Sequence, residues 1–226
     1  GLFQNNLCTG ASCYGGGLYV TGTLALDDVE FISNTAASRG GGAATSAATT
    51  VTGGLFRNNR CTATSCNGGG LYAGGALAVT DGNFETNACT ASTCYGGGLY
   101  AANTLVLSNS LMISNTAINR GGGAYAVSSA AVTQTVFQNN SCTGSNCLGG
   151  GLYGANSLTI THTEFLSNSA VYRGGGAYAQ NPTSIFASLF QENSASQATS
   201  AGGGVYASQG LTLLDSQILS NTCVIN

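Results

Sequence analysis

Lysine and tryptophan are missing from this chain, proline occurs once, and only 6% of its residues are charged. An ordinary soluble domain is roughly 25% charged. The five cations are Arg39, Arg57, Arg60, Arg120 and Arg173; eight acids bring the net charge to −3. So thin a positive footprint excludes a nucleic-acid partner, because neutralising phosphates needs a dense basic face. No apolar run approaches the ~20 residues that cross a bilayer, so no membrane span is expected in this segment. A hydrophobic content of 43% excludes a disordered polar chain. Gly1-Leu2-Phe3-Gln4 reads as part of a repeat and not as a signal peptide.

Glycine is what the chain has in excess, 35 of 226 residues, and it is periodic. Gly-Gly-Gly triplets begin at Gly15, Gly40, Gly68, Gly96, Gly121, Gly149, Gly174 and Gly202, spaced by 25 or 28 residues. An asparagine follows each triplet start by 19 residues: Asn34, Asn59, Asn87, Asn115, Asn140, Asn168, Asn193 and Asn221. Asn6 adds a ninth copy. All variation in length therefore lies between the asparagine and the next triplet, where two connections occur, one three residues longer than the other.

Apolar columns keep the same register. Phe31, Phe56, Phe84, Met112, Phe137, Phe165, Phe190 and Ile218 form one; Leu26, Val51, Val79, Leu107, Val132, Ile160, Ile185 and Leu213 form another. Apolar residues recur two apart, as at Leu24 and Leu26, the period of a strand with one buried face, and no helical stripe appears. A unit this short cannot bury its apolar side alone and must stack on its neighbours. The expected fold is all-β: a single-chain parallel β-helix (β-solenoid) with three short strands per rung and rungs of 25 or 28 residues. Residues 1–226 are expected to make one segment of eight full rungs plus a partial terminal rung, a fragment or repeating unit of a longer chain or fibre. Right-handed winding is expected, because parallel crossovers favour it. At ~4.8 Å per rung, eight rungs make a rod roughly 38 Å long. The asparagines are expected to ladder at a turn through their side-chain amides, themselves in left-handed conformation.

Four of the longer connections carry Cys-Thr-x-x-x-Cys: Cys8 with Cys13, Cys61 with Cys66, Cys89 with Cys94, and Cys142 with Cys147. The rungs on either side of Cys142 and Cys147 have cysteine-free connections, so these two can only pair with each other, and the same pairing extends to the other three. A zinc site is the weaker reading, since His162 is the single histidine. Four local disulfides imply an oxidising compartment, hence an extracellular or cell-surface location. Cys223 is left over for an unpaired or intermolecular role. Each bridge should constrain a protruding turn more than the whole fold. The short connections end in Arg39, Arg120 or Arg173, expected to bond local turn carbonyls.

Phe-x-x-Asn followed by Gly-Gly-Gly-Leu-Tyr or Gly-Gly-Gly-Ala-Tyr, as in Phe137 to Asn140 and Gly149 to Tyr153, resembles the repeats of chlamydial polymorphic outer-membrane proteins. The likeness runs through the whole chain. It implies a β-helical, surface-exposed passenger of the kind implicated in adhesion. The departures are the missing lysine, a third glycine where that family has alanine, and very regular cysteine loops.

Three functional classes follow. An enzyme needs clustered acids or a nucleophile with its base. Only Asp27, Asp28 and Glu30 cluster, with His162 and Glu164 a weaker pair on one strand face, so no catalytic set, cofactor or metal site is expected. An adhesive or carbohydrate-binding surface could use the column Tyr19, Tyr72, Tyr100, Tyr125, Tyr153, Tyr178 and Tyr206, expected to point outward as a stacked ladder. Asn139-Asn140-Ser141 makes Asn139 a candidate glycosylation site. An ice-binding face is the remote option, since Ala25, Thr50, Ala78, Val106, Ala131, Thr159, Ser184 and Thr212 form a small, flat but irregular column. The preferred reading is structural: a segment of an extracellular stalk or filament, stacked through its ends on copies of itself or on continuing chain past Asn226. Glycans or a host surface are the other partners to consider.

Overall fold

The computed structural model describes residues 1–90 and 92–224, and they form a parallel β-solenoid of about eight turns. Every strand inside a sheet pairs in parallel with the strand one rung before and one rung after it, in four sheets of nine, nine, eight and eight strands. Phe31, for instance, lies between Phe3 and Phe56, and Val79 between Val51 and Leu107. Each added rung therefore repeats one hydrogen-bonding pattern.

One rung shows how local sequence gives local structure. Gly68 turns the corner with φ +71°, a conformation that a Cβ would strain. Leu71–Ala73 follows as the first strand and Leu77–Thr80 as the second, with Leu77 and Val79 inward and Thr80 exposed. Asp81, at φ +57°, makes the next corner, and Asn83–Glu85 buries Phe84 completely. Ala88–Cys89 closes the rung as a fourth strand, two residues long. The three expected strands are present; this fourth was not foreseen, because two residues are too few to show an alternating pattern.

The interior is a set of ladders. Phenylalanine rings stack face to face at 4.5–4.8 Å between centroids, from Phe3 to Phe84 and again from Phe137 to Phe190, with Met112 between the two runs. Short-connection rungs carry Ala43, Ala124 and Ala177, with Thr49, Ala130 and Thr183, where most other rungs carry leucine in both columns. All of these alanines and threonines are buried, so the slimmer rungs are matched by smaller inward side chains.

Candidate functional site

Three polar or aromatic columns lie outside the apolar interior, and each is built by one position repeated up the rod. The first is the asparagine ladder. Asn34 donates its backbone N–H (3.0 Å) and its side-chain amide (2.9 Å) to Oδ1 of Asn59. Its second amide hydrogen goes to the Phe3 carbonyl at 2.8 Å. The pattern recurs from Asn6 through Asn59, Asn87, Asn115, Asn140, Asn168 and Asn193 to Asn221. Asn34 to Asn193 are fully buried, and this arrangement satisfies both donors and the acceptor of each amide. The left-handed residue is not the asparagine, as expected from sequence, but the one before it: Ser33, Asn58, Thr86, Ser114, Asn139 and their equivalents, at φ 50–56°. The corner must be turned before the asparagine so that its side chain points inward while its backbone starts the fourth strand. Asn139 itself is exposed at such a corner.

The second column was missed in the sequence. Ser110, Thr135, Thr163, Ser188 and Ser216 form a hydroxyl ladder at the opposite corner. Each Oγ accepts the backbone N–H of the rung before, as in Thr163 N–H to Ser188 Oγ at 3.1 Å. Each donates to a carbonyl two residues back, as in Ser188 to Phe186 at 2.8 Å. The signal was a small hydroxyl residue held in register just before the Phe strand.

The third column is the tyrosines, and here the structure corrects two expectations. The rings do lie on the outer side of their strands and stack at 4.9–5.2 Å from Tyr72 through Tyr100, Tyr125, Tyr153 and Tyr178 to Tyr206. They are not a free strip, however. Tyr72, Tyr125, Tyr153 and Tyr178 are only 1–8% exposed, and Tyr19 alone stands open at 42%. Residues just before the triplets cover them, forming a ladder of their own: Tyr14, Arg39, Asn67, Tyr95, Arg120, Leu148, Arg173, Ala201. The arginines, expected to bond turn carbonyls, instead lie between aromatic faces. Arg39 sits 5.0 Å from the Tyr14 ring and 4.9 Å from Tyr72. Arg120 sits 5.6 Å from Tyr95 and 5.1 Å from Tyr153; Arg173 sits 4.3 Å from Tyr172 and 4.9 Å from Tyr206. A guanidinium is flat and weakly hydrated, so it stacks on rings at a half-buried site where an ammonium would keep its water. Burial pushes the Tyr100 and Tyr153 phenols up to about 12. Neighbouring phenols add to the shift at Tyr100, while Arg120 opposes it at Tyr153.

All four cysteine pairs lie at disulfide distance, with Cα atoms 5.6–5.7 Å apart. Six of these cysteines are buried, and the loops they close pack on Ala117 and Ile118 or on Ala170 and Val171. The turns between the cysteines are mostly exposed, as expected, and the cysteines at their base form small satellite cores. The fifth long connection has Ala195 and Ser200 at the cysteine positions, and the Ser200 hydroxyl donates to the Ala195 carbonyl at 3.0 Å. Cys223 is half-buried with a free thiol, 3.0 Å from Ser200 Oγ. Among the described residues no group of three His, Cys, Asp or Glu side chains is placed to hold a metal ion, and no helix is long and apolar enough to cross a membrane. Asp28 and Glu30 flank one surface notch, at Gly54; His162 and Glu164 line another, together with Asp215.

Fold and columns together define a class, a parallel β-solenoid of 25- and 28-residue rungs with buried asparagine and aromatic ladders. No protein-family model, curated protein or solved structure matches the chain.

Proposed function

We propose that this chain is a non-enzymatic structural element of the cell exterior, a length of stalk or filament whose rungs stack end on end. The unbroken asparagine ladder carries this reading. Eight successive links, Asn6 to Asn221, repeat one geometry, so each rung offers the next the same bonds and length is added without a new design. Solenoid stability grows through such neighbour terms. The regular cysteine pairs suit an oxidising location. The likeness to chlamydial outer-membrane repeats supports a surface position, and the exposed Asn139 corner would accept a glycan.

An adhesive surface based on the tyrosines loses ground, because the ladder that would form it is sealed by arginines and by residues such as Tyr95. The small outer column from Ala25 to Thr212 remains exposed, apart from half-buried Ala78, and suits lateral packing. Negative-stain electron microscopy of concentrated protein tests the proposal. Rods longer than one chain, growing with concentration, are the expected result. Single short rods at every concentration would remove the end-on-end assembly.

A further inference from the structure

We propose that the corner above Ala187 is a binding site for one uncharged pyranose ring of a glycan, a function separate from the structural role. In most other rungs this corner position carries a polar side chain with left-handed φ: Asp28, Asp81, Asn109, Gln134, His162 and Asp215. Ala187 has only a methyl group there, which opens a notch of about 380 Å³ one rung deep. That volume falls within the range of small-molecule sites.

The walls are chemically distinct from the floor. His162 and Glu164 stand on one side, Asp215 and Gln217 on the other, two rungs or ~10 Å apart along the rod. Between them lie the Ala187 and Leu189 side chains, an apolar strip suited to the C–H face of a sugar. Carboxylates accept hydrogen bonds, while the imidazole and the amide both accept and donate, which is what a ring bearing several hydroxyls requires. The site is also preformed. Thr163 and Ser188 in the floor are already committed to the hydroxyl ladder, and the exposed Phe186 ring meets His162 edge-on at 6.0 Å and braces it. Two carboxylates and no lysine or arginine line the notch, so a uronate, sialate or sulfated sugar is disfavoured. The related notch at Gly54, about 360 Å³, differs in its lining: Asp28 and Glu30 are its polar side chains, and it has neither an imidazole nor an amide to donate.

The test is a titration of the whole chain, by calorimetry and ligand-observed NMR, with lactose, maltotriose, diacetylchitobiose and trigalacturonate. Saturable binding of at least one of the first three, with Kd about 1 mM or tighter, and none of the uronate, is expected. Ala187→Asn should weaken that binding about tenfold or more. It restores the side chain that Asn109 carries at the equivalent corner with the same φ of 46°, so the fold is kept. Glu164→Gln and Asp215→Asn should each weaken it too, whereas Tyr153→Phe should not. No binding of the three neutral sugars, equal binding of the uronate, or unchanged affinity in Ala187→Asn would each overturn the assignment.

Discussion

Asn34 and Asn59, 25 positions apart in the chain, lie one layer apart in the rod, two hydrogen bonds of 3.0 and 2.9 Å joining the first to Oδ1 of the second. That contact sets the register between rungs, whether 25 or 28 residues long, because only a chain returning after one full turn can bring the amides together. It also makes the ladder vulnerable at any one step.

Asn115→Ala tests this. The change removes Oδ1 from the backbone and side-chain N–H groups of Asn87, takes the amide donor from the Phe84 carbonyl, and leaves Asn140 Oδ1 with only the Asn115 backbone N–H. Buried unpaired groups cost about 1–3 kcal/mol each, so a loss of about 4 kcal/mol is expected from urea unfolding. Asn221→Ala, where the ladder meets solvent, should cost markedly less.

Gly97 is constrained by space and not by its backbone angle. A Cβ there would fall inside the backbone of Gly122 on the next rung and of Thr116 on the fourth-strand sheet. Gly97→Ala should destabilise by about 3 kcal/mol or more, whereas Gly10→Ala, with nothing within 4 Å of its added Cβ, should stay within about 0.5 kcal/mol. Equal midpoints for the two variants would contradict the close approach of the rungs.

The disulfides should matter locally. Closing a loop of about six residues is worth about 2 kcal/mol in the chain-entropy model. The double variant Cys142→Ala with Cys147→Ala should therefore lose about that much and keep its β-sheet circular dichroism. The connection from Asn193 to Gly202 already closes through Ser200 and Ala195 without a bridge. Hydrogen exchange should rise at residues 143–148 and stay low along the asparagine ladder.

Alkaline pH should act through the tyrosines. Burial pushes the Tyr100 and Tyr153 phenols up to about 12, against 10 for a free phenol. Below pH 10 folded and unfolded chains both hold these protons, and stability is flat. Between about 10 and 12 the unfolded chain binds fewer protons than the folded one, so stability falls as pH rises. The double variant Tyr100→Phe with Tyr153→Phe should flatten that fall in urea midpoints measured across the window.

The sequence by itself determined the rung, its register and its inward columns. Those rest on chain periodicity, since a residue type recurring at 25 or 28 positions must stack once the chain coils. The tertiary structure alone decided how the outer side chains are used. Arg120 lies between Tyr95 and Tyr153 because a short connection places it one layer from each, and no local pattern at Arg120 shows that. The short fourth strand and the hydroxyl ladder likewise appear only when neighbouring rungs supply their partners. The notch at Ala187 exists because of a side chain that is small between two larger ones, and its depth depends on the rungs carrying His162 and Asp215. Burial of an outward residue is set by what the adjacent layers place over it, a property of the stack and not of the repeat.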